Sequence, residues 1–206
     1  MEIIKLRYGN TSTFFIPGGL LVDTDYAGTL SAFYKALKAN GIRLEHISHV
    51  MATHYHPDHC GLIGEIQRHG IKLILMESQA SSVHYADYIF ERDRLPYTPI
   101  DESAADLISF EKSREYLKAL GIAGEIIPTR SHSTDSVSIV LDNGDCIAGD
   151  LPPRELIDGY HDHEALQADW ERIISRHPKR ILFAHMPGIS EVFRGNTNAK
   201  SEADNY

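Results

Sequence analysis

Three histidines and one aspartate lie within six residues of each other in the segment MATHYHPDHCGLIGE, residues 51–65. They are His54, His56, Asp58 and His59, and they follow directly after an apolar run. Neutral imidazole and carboxylate groups are ligands that suit Zn²⁺ and similar divalent cations. Three imidazoles and a carboxylate packed together have little structural reason to coexist without a cation. The cluster therefore predicts a metal site.

The spacing within this cluster indicates how its ligands could be divided between two metal ions. One residue separates His54 from His56, so both side chains point to the same side if the segment is extended. Pro57 then forces a turn before Asp58 and His59. Such a segment can offer two ligands to one metal ion and two to a neighbouring ion.

Other histidines and carboxylates follow apolar segments elsewhere in the chain. Each stands at or just beyond the end of a predicted strand: Asp23 in LLVD, His132 after EIIPTRS, Asp150 in DCIAGD and His185 in RILFAH. Strand ends on one edge of a sheet converge and give a site rigid support. A lone histidine at a strand end is more often a surface or hydrogen-bonded residue. Convergence of these residues on the cluster is therefore a hypothesis.

The hydrophobic pattern predicts the elements that position these residues. Strands are predicted in EIIKLR, STFFIP, LLVD, HISHVMAT, KLILM, GEIIPT and RILFAH, and a hairpin in SVSIVLDNGDCIAGD around the Asn143-Gly144 turn. Helices are predicted in GTLSAFYKALKANG, GLIGEIQRHG and HEALQADWERIISRHP. Residues 78–120 are predicted to be mostly helical, with a loop at Pro96 and Pro99. Two sheets packed face to face with helices outside fit this order, as do other α/β layouts.

Composition narrows the classes of protein. The 206 residues suit one domain, and the net charge of −9 without a Lys/Arg-rich block argues against nucleic acid and anionic membranes as partners. No stretch approaches the roughly 20 apolar residues of a membrane span. Two cysteines provide no disulfide framework. We expect a cytoplasmic protein, and its oligomeric state is open.

The segment THYHPDHCG resembles the His-x-His-x-Asp-His signature of the metallo-β-lactamase superfamily. The resemblance extends over most of the chain in order and spacing. Asp23 resembles the first motif of the family, His132 in SHSTDSVSIV the third, Asp150 in AGD the fourth and His185 in FAHMPG the last.

This resemblance implies a fold and a ligand set. The implied fold is α/β, a four-layer αββα sandwich of two mixed β-sheets face to face, with helices outside and the site at one edge. We expect one domain over residues 1–190, with 78–115 as a helical cap, and a polar, flexible tail at 191–206. The resemblance implies two metal ions: one held by His54, His56 and His132, the other by Asp58, His59 and His185, with Asp150 bridging and Asp23 supporting the ligand loops.

The implied activity is hydrolysis. A hydroxide bridging two divalent ions about 3.5–4 Å apart would attack a small ester, lactone, thioester or amide, with Asp58 as the proton handler. Zn²⁺ is the expected metal, with Fe or Mn as alternatives. Three other functions share this fold: an iron-dependent oxidoreductase similar to persulfide dioxygenases, a phosphodiesterase or nuclease, and a non-catalytic metal sensor.

The third motif departs from the family pattern. It more often reads Gly-His-Thr-Pro-Gly-Ser, whereas here Ser131 precedes the histidine and residues 133–136 read STDS. The ligand is kept, and the different loop leaves the identity of the substrate open.

Several other residues have two interpretations. Cys60 is expected to be a small buried residue, with a redox or ligand role as the alternative. His161 and His163 are expected to be loop or capping residues, with Asp158 or Asp162 as a helix cap. The aromatic residues of the 78–115 segment are interpreted either as an apolar lid over the site or as helix core: Tyr85, Tyr88, Phe90 and Tyr97.

Overall fold

The computed structural model describes residues 2–186 of the chain. The strands are β1 Ile4–Arg7, β2 Ser12–Ile16, β3 Leu20–Val22, β4 His49–Met51, β5 Lys72–Met76, β6 Asp106–Ile108, β7 Gly124–Pro128, β8 Val137–Leu141, β9 Asp145–Gly149 and β10 Arg180–Phe183. The α-helices are α1 Leu30–Ala39, α2 Pro57–Cys60, α3 Ile63–Gln67, α4 Asp87–Arg92, α5 Phe110–Ala119 and α6 His163–Ile174.

The strands form two mixed sheets. In the first, β1 to β6 lie in chain order; β1, β2 and β3 pair antiparallel, and the pairs from β3 to β6 are parallel. In the second, the order is β10-β9-β8-β7, with β10 parallel to β9 and the other pairs antiparallel. The first three predicted strands thus form an antiparallel meander, and the predicted hairpin is confirmed.

Alternating side chains divide the core into three parts. In β2, Phe14 and Ile16 enter the core between the sheets, whereas Phe15 points to the helices. In β9, Ile147 enters the same central core, whereas Cys146 belongs to the part of the core that includes the buried residues of α6. Because successive strand residues face opposite sides, each sheet is apolar on both faces. The predicted sandwich of two sheets between helical layers is confirmed.

One helix does not lie in an outer layer. Leu117 of α5 belongs to the core between the sheets, together with Ile122 just beyond the helix. The hydroxyl of Ser113 in α5 accepts a hydrogen bond from the backbone N–H of Ile126 in β7, at 3.1 Å. Helix α5 thus packs beside β7 and closes the side of the sandwich.

The prediction for residues 78–120 is wrong in part. Only α4 and α5 are α-helical there, and β6 had no counterpart in the prediction. This strand is three residues long and lies at the edge of the first sheet, with Leu107 exposed. So short an edge strand has too few residues to show alternation, and its pairing with β5 decides its structure.

The domain limits stay a prediction. The proposed tail at 191–206 lies outside the described residues, as does the end of the proposed domain at residue 190. Among the helices of residues 2–186, none is long and apolar enough to cross a membrane.

A glycine in α3 provides a test of the packing. A Cβ atom at Gly64 would lie 2.0 Å from the carbonyl oxygen of Thr98, whereas a Cβ at Gly159 would meet nothing within 4 Å. Helix propensity alone favours alanine over glycine by about 1 kcal/mol. We expect Gly64→Ala to lower the free energy of unfolding by about 1–3 kcal/mol nonetheless, because backbone atoms must shift. Urea denaturation measures this, with Gly159→Ala as the control that keeps wild-type stability. A stabilised Gly64→Ala would contradict the packing.

Candidate metal centre

The carboxyl ends of four strands bring the predicted residues to one edge of the sandwich. Asp23 follows β3 directly and Asp150 follows β9 directly, whereas His54 and His185 come a few residues after β4 and β10. Since β3 is parallel to β4 and β9 is parallel to β10, each pair of strands ends on the same edge. His132 joins them from the loop between β7 and β8.

The turn at Pro57 creates the second half of the cluster. Pro57 is the first residue of the short helix α2, where its fixed φ and missing N–H are accommodated. The backbone N–H of His59 donates to the carbonyl of His56 across this turn, at 2.9 Å. Asp58 and His59 are thereby directed to the same edge as His54.

Asp150 lies at the centre of the cluster. Its Oδ1 is 3.3 Å from Nε2 of His59, and its Oδ2 is 3.2 Å from Nε2 of His185. The same Oδ2 lies 3.8 Å from Nε2 of His132 and 4.0 Å from Nε2 of His54. One carboxylate thus contacts four imidazoles.

The remaining predicted residues complete the cluster. Nδ1 of His56 lies 3.3 Å from Nε2 of His132, and Oδ2 of Asp58 lies 3.2 Å from Nε2 of His185. Potential ligand atoms lie within 4.8 Å of one another in three groups: His54, His56 and His132; His54, His59 and Asp150; Asp58, His59 and His185. The structure thus brings all seven predicted residues together. Their roles as ligands stay a prediction.

The donor atoms fit a bound cation. Among the described residues, the buried Nε2 atoms of His54 and His59 and Oδ1 of Asp150 have no hydrogen-bond partner. His59 and Asp150 approach to ion-pair distance, but the alignment is not that of a hydrogen bond. A buried polar atom without a partner costs about 1–3 kcal/mol. A nitrogen- and oxygen-ligated divalent ion would satisfy all three atoms.

The protonation of the cluster follows from burial and charge. Burial, together with the neighbouring histidines, lowers the pKa of His54 well below its usual value, so its imidazole is neutral. Burial would also lower the pKa of His59, but the carboxylates of Asp23 and Asp150 outweigh it and raise the pKa to about 10. Burial disfavours the carboxylate of Asp150, yet its contacts with His59, and then His185 and His132, lower its pKa.

Asp23 supports the ligand loops from beneath. Its Oδ1 accepts a hydrogen bond from the backbone N–H of Thr53 at 2.6 Å, and its Oδ2 accepts one from the Thr53 hydroxyl at 3.0 Å. The same Oδ2 lies 3.1 Å from Nδ1 of His59. A carboxylate on one ring nitrogen orients the other towards a metal. These contacts agree with the supporting role expected of Asp23.

The β1–β2 turn supports the other side of the site, which sequence reasoning missed. The hydroxyl of Thr11 donates to Oδ2 of Asp58 at 3.0 Å, and the carbonyl of Asn10 lies 3.3 Å from Nδ1 of His185. The turn can approach because Gly9 has no side chain: a Cβ there would lie 1.9 Å from Oδ2 of Asp25. Nothing in the sequence placed the turn at Gly9 and Asn10 beside the site.

Helix α6 supports the loop that carries His132. The buried carboxylate of Asp169 accepts a hydrogen bond from the backbone N–H of Ser131 at 2.8 Å. Arg172 pairs with the other oxygen of Asp169 at 2.6 Å and donates to the carbonyl of Pro128 at 3.3 Å. These contacts also escaped prediction, since the sequence showed α6 only as an amphipathic helix.

The surroundings of Cys60 agree with the first interpretation, that of a small buried residue. Its side chain is buried, and its Sγ donates to the carbonyl of His56 at 3.3 Å. Burial raises the pKa of the thiol well above its usual value, which keeps it protonated and unreactive.

His161 and His163 stand apart from the metal cluster. Both are exposed, and His163 is the first residue of α6. Asp162 occupies the position before the helix but makes no side-chain capping bond. The expectation that these histidines are loop or helix-start residues agrees with this placement.

The aromatic residues of the 78–115 segment divide between the two interpretations. Tyr85 is exposed, and its ring centre lies 5.7 Å from that of His56. Phe90 is buried in the helical core, and its ring packs against Tyr97 at 5.2 Å. Tyr88 is exposed. Of the four residues, Tyr85 has a ring contact with the cluster, Phe90 is core, and the half-buried Tyr97 packs against that core.

A cavity beside the cluster had no counterpart in the sequence analysis. Its volume is about 310 Å³, and it is lined by His132, Gly149, Asp150, Leu151, Pro152, Pro153, Tyr160, Phe183, His185 and Met186. Trp170 of α6 fixes one wall by donating to the carbonyl of Pro152 at 2.9 Å. The loop after Asp150 has no hydrophobic period from which its position could be predicted. The cavity places an apolar surface directly against three of the clustered residues.

The chain belongs to the metallo-beta-lactamase superfamily, because the sequence profile of that superfamily matches residues 8–185. Membership implies metal-dependent chemistry of the hydrolase type. No curated protein matches the chain in sequence.

Solved structures with the same fold support this assignment. A metallo-beta-lactamase family protein from Thermus thermophilus, TTHA1429, is 16% identical, with a TM-score of 0.67 over 93% of this chain and 75% of its own. TTHA1623, solved in a di-iron-bound form, is 18% identical, with a TM-score of 0.68 over 92% of this chain and 94% of its own. BLEG-1, a B3 metallo-beta-lactamase, is 22% identical, with a TM-score of 0.65 over 90% of this chain and 92% of its own. At these identities the likeness shows the fold.

Proposed function

We propose that the protein is a binuclear metal-dependent hydrolase that cleaves a small ester, lactone, thioester or amide. The observation that carries this proposal is the cluster around Asp150. One carboxylate lies within 4.0 Å of four imidazoles, and three of the buried donor atoms have no hydrogen-bond partner among the described residues. No structural role of these side chains explains so many buried ligand atoms at one point.

In this proposal the clustered residues divide into two ligand sets. His54, His56 and His132 hold one divalent ion, and Asp58, His59 and His185 hold the other, with Asp150 shared between them. When bound, such ions polarise a substrate oxygen and make water a nucleophile at neutral pH. Zn²⁺ suits the nitrogen and oxygen donors, whereas the di-iron form of TTHA1623 shows that this fold also accommodates iron.

The protein's own groups then orient the ligands and handle the proton. The neutral imidazole of His54 presents a free Nε2, and Asp23 holds the Nδ1 side of His59, so that its Nε2 faces Asp150. Asp58 is half-buried at the rim, where Thr11 holds its Oδ2. We assign to Asp58 the uptake of the proton that the attacking water would release and its transfer to the leaving group, since its carboxylate lies where solvent can reach it.

The adjoining cavity supports a small substrate with an apolar portion. Leu151, Tyr160, Phe183 and Met186 form apolar walls of the cavity of about 310 Å³, which His132, Asp150 and His185 also line. Of the described residues, no lysine or arginine lines this cavity. A neutral acyl group fits these walls better than a substrate held by its carboxylate.

The cavity gives a prediction about substrate choice. Removing the ring of Tyr160 should raise the KM for an ester with a long acyl chain by about tenfold, since an aromatic contact is worth roughly 1–2 kcal/mol. The KM for the acetyl ester should hardly change. Kinetics of p-nitrophenyl octanoate and acetate with Tyr160→Ala measure this. Leu156→Ala is the matched control, because Leu156 is exposed on the same segment but outside the cavity lining. Equal effects on both esters, or an equal effect of Leu156→Ala, would contradict this use of the cavity.

The proposal as a whole is tested by metal content and activity. Metal-free protein reconstituted with Zn²⁺, and separately with Fe²⁺ or Mn²⁺, should bind two ions per chain. The zinc form should hydrolyse at least one member of a panel of esters, lactones, thioesters, amides and β-lactams. A saturating value of one ion or none overturns the binuclear site. If the protein turns over only a phosphodiester, it is a phosphodiesterase or nuclease instead. If only the iron form is active and it oxidises a persulfide, the protein is an iron-dependent oxidoreductase.

Cytoplasmic location stays a prediction. Cys60 and Cys146 are both free thiols and both buried, which is compatible with a reducing compartment.

A further inference from the structure

A buried carboxylate that belongs to none of the ligand groups connects two of the ligand loops. Asp135 lies three residues after His132 in the third motif, and only 6% of it is exposed. Its Oδ2 accepts a hydrogen bond from the backbone N–H of Tyr55 at 2.8 Å. Tyr55 is the residue between His54 and His56. The contact therefore joins the loop of His132 to the loop that carries the other two members of its ligand group.

The second oxygen of Asp135 is held within its own loop. Oδ1 accepts a hydrogen bond from the hydroxyl of Ser133 at 2.7 Å, and Ser133 also lies 2.7 Å from the hydroxyl of Ser136. The backbone N–H of Ser136 donates to the carbonyl of Ser133 at 3.0 Å. The carboxylate is thus fixed at both oxygens, and its direction is set by the turn that follows His132.

Gln79 connects the same two loops through further hydrogen bonds. This residue is fully buried, and its Nε2 is shared among three carbonyls: Ala52 at 3.1 Å, Thr53 at 3.3 Å and Asp135 at 3.1 Å. The backbone N–H of Val137 also donates to the carbonyl of Thr53, at 2.9 Å. The segment before His54 and the segment after His132 are therefore bonded together at several points.

We propose that Asp135 is a positioning residue, which clamps the His54–His56 segment to the His132 loop and so pre-organises the ligand group His54, His56 and His132 for a metal ion. The reason is geometric. A ligand triad from two separate loops binds an ion tightly only if the loops keep their distance, because otherwise binding must order them. Asp135 acts on the one backbone N–H that lies between two ligands, so its hydrogen bond fixes the direction of both imidazoles.

A carboxylate suits this position for two reasons. Its bond to a backbone N–H is charge-assisted and stronger than a bond between neutral groups. It also offers two acceptor oxygens, so that one can hold Tyr55 while the other holds Ser133. The Ser-Thr-Asp-Ser departure in the third motif thereby acquires a role next to the metal ligands.

The experiment compares the wild type with variants of Asp135. For each metal-free protein, the affinity for the first equivalent of Zn²⁺ is measured by competition with a chromogenic chelator. Changes to residues that orient metal ligands typically cost 10–100-fold in affinity. We expect Asp135→Ala to weaken this affinity by about tenfold or more. Asp135→Asn retains an acceptor for Tyr55, so it should recover most of the lost affinity. With Co²⁺ as the probe, the visible absorption of the first equivalent should change in Asp135→Ala and return in Asp135→Asn.

The control is Asp145, a buried aspartate at the end of β9 that lies away from the site. Asp145 begins β9, whereas the site follows the end of β9, and Asp145 pairs with Arg180 at 2.7 Å. Asp145→Asn should lower stability but leave the affinity for Zn²⁺ unchanged. If Asp135→Ala fails to fold, Ser133→Ala replaces it, because it removes the hydroxyl that holds Oδ1 of Asp135.

The outcomes separate this inference from the proposed function on which it rests. A wild-type chain that binds neither Zn²⁺ nor Co²⁺ would overturn the metal site itself. Tight binding by the wild type and equally tight binding by Asp135→Ala, or by Ser133→Ala in its place, would overturn the clamp alone. The clamp is also overturned if Asp135→Asn is as weak as Asp135→Ala, or if Asp145→Asn loses affinity to the same extent.

Discussion

Replacing Asp150 by asparagine is expected to lower hydrolytic turnover by about a thousandfold or more while the protein stays folded. The substitution keeps the shape of the side chain and one carbonyl oxygen, but it removes the charge at the point where four imidazoles meet. A single ion used as a Lewis acid is worth several kcal/mol of transition-state stabilisation, and ~4 kcal/mol corresponds to about a thousandfold in rate.

The two proposed metal sites should respond unequally to this change. Two divalent cations repel each other strongly at short range, and a carboxylate between them offsets that repulsion. The group of His54, His56 and His132 keeps three neutral nitrogen ligands without Asp150. The group that contains Asp58, His59 and His185 shares the closest contacts with Asp150, at 3.3 and 3.2 Å. We therefore expect the second ion to be weakened more than the first.

Metal titration into Asp150→Asn, with occupancy and turnover followed together, tests both expectations. Circular dichroism shows whether the fold is retained, as it should be, because the sheets do not depend on this side chain. Equal loss of both ions from an unfolded chain would make Asp150 a structural residue. Full activity would remove it from the site.

The hydrophobic pattern predicted most of the strands, but the four layers were predicted through the family resemblance, because the same pattern fitted other α/β layouts. In β2 and β9, alternate residues enter the central core and the intervening residues face helices, so every residue of these strands is buried and no alternation of polar and apolar residues is visible. The β8–β9 hairpin was predictable from a local signal, the Asn143-Gly144 turn. β6 shows the limit of this reasoning: three residues at a sheet edge owe their structure to a partner strand that is distant in sequence.

The positions of the clustered residues were predictable, whereas their supports were not. The clustered residues carry imidazole and carboxylate groups, follow strand ends and match a known motif. Thr11, Gln79 and Asp169 are ordinary polar residues within turns and helices. Thr11 and Asp169 each reach the site through one long-range hydrogen bond, and Gln79 does so through bonds to three backbone carbonyls. No period or spacing in the sequence encodes such a bond. The apolar cavity wall was hidden for the same reason, because the loop after Asp150 acquires its place through the bond between Trp170 and Pro152.

The histidines differ sharply in the effect on metal content that we expect from their replacement. His56 and His185 belong to different ligand groups, so each alanine variant should lose one ion and keep the other. Turnover should fall by about a thousandfold or more in both variants, since each loses one of the two Lewis acids.

His161→Ala and His163→Ala are the controls for this comparison. Both residues are exposed beside the start of α6, outside every group of clustered ligands among residues 2–186. They should retain two ions and full activity, because exposed histidines without convergent partners do not hold a metal tightly. Elemental analysis of the four variants, purified and reconstituted side by side, decides the matter. Loss of metal from the control pair would mean that the site lies elsewhere. Loss of both ions from His56→Ala and also from His185→Ala would mean that the two groups bind as one unit, because neither ion could then be held without the other.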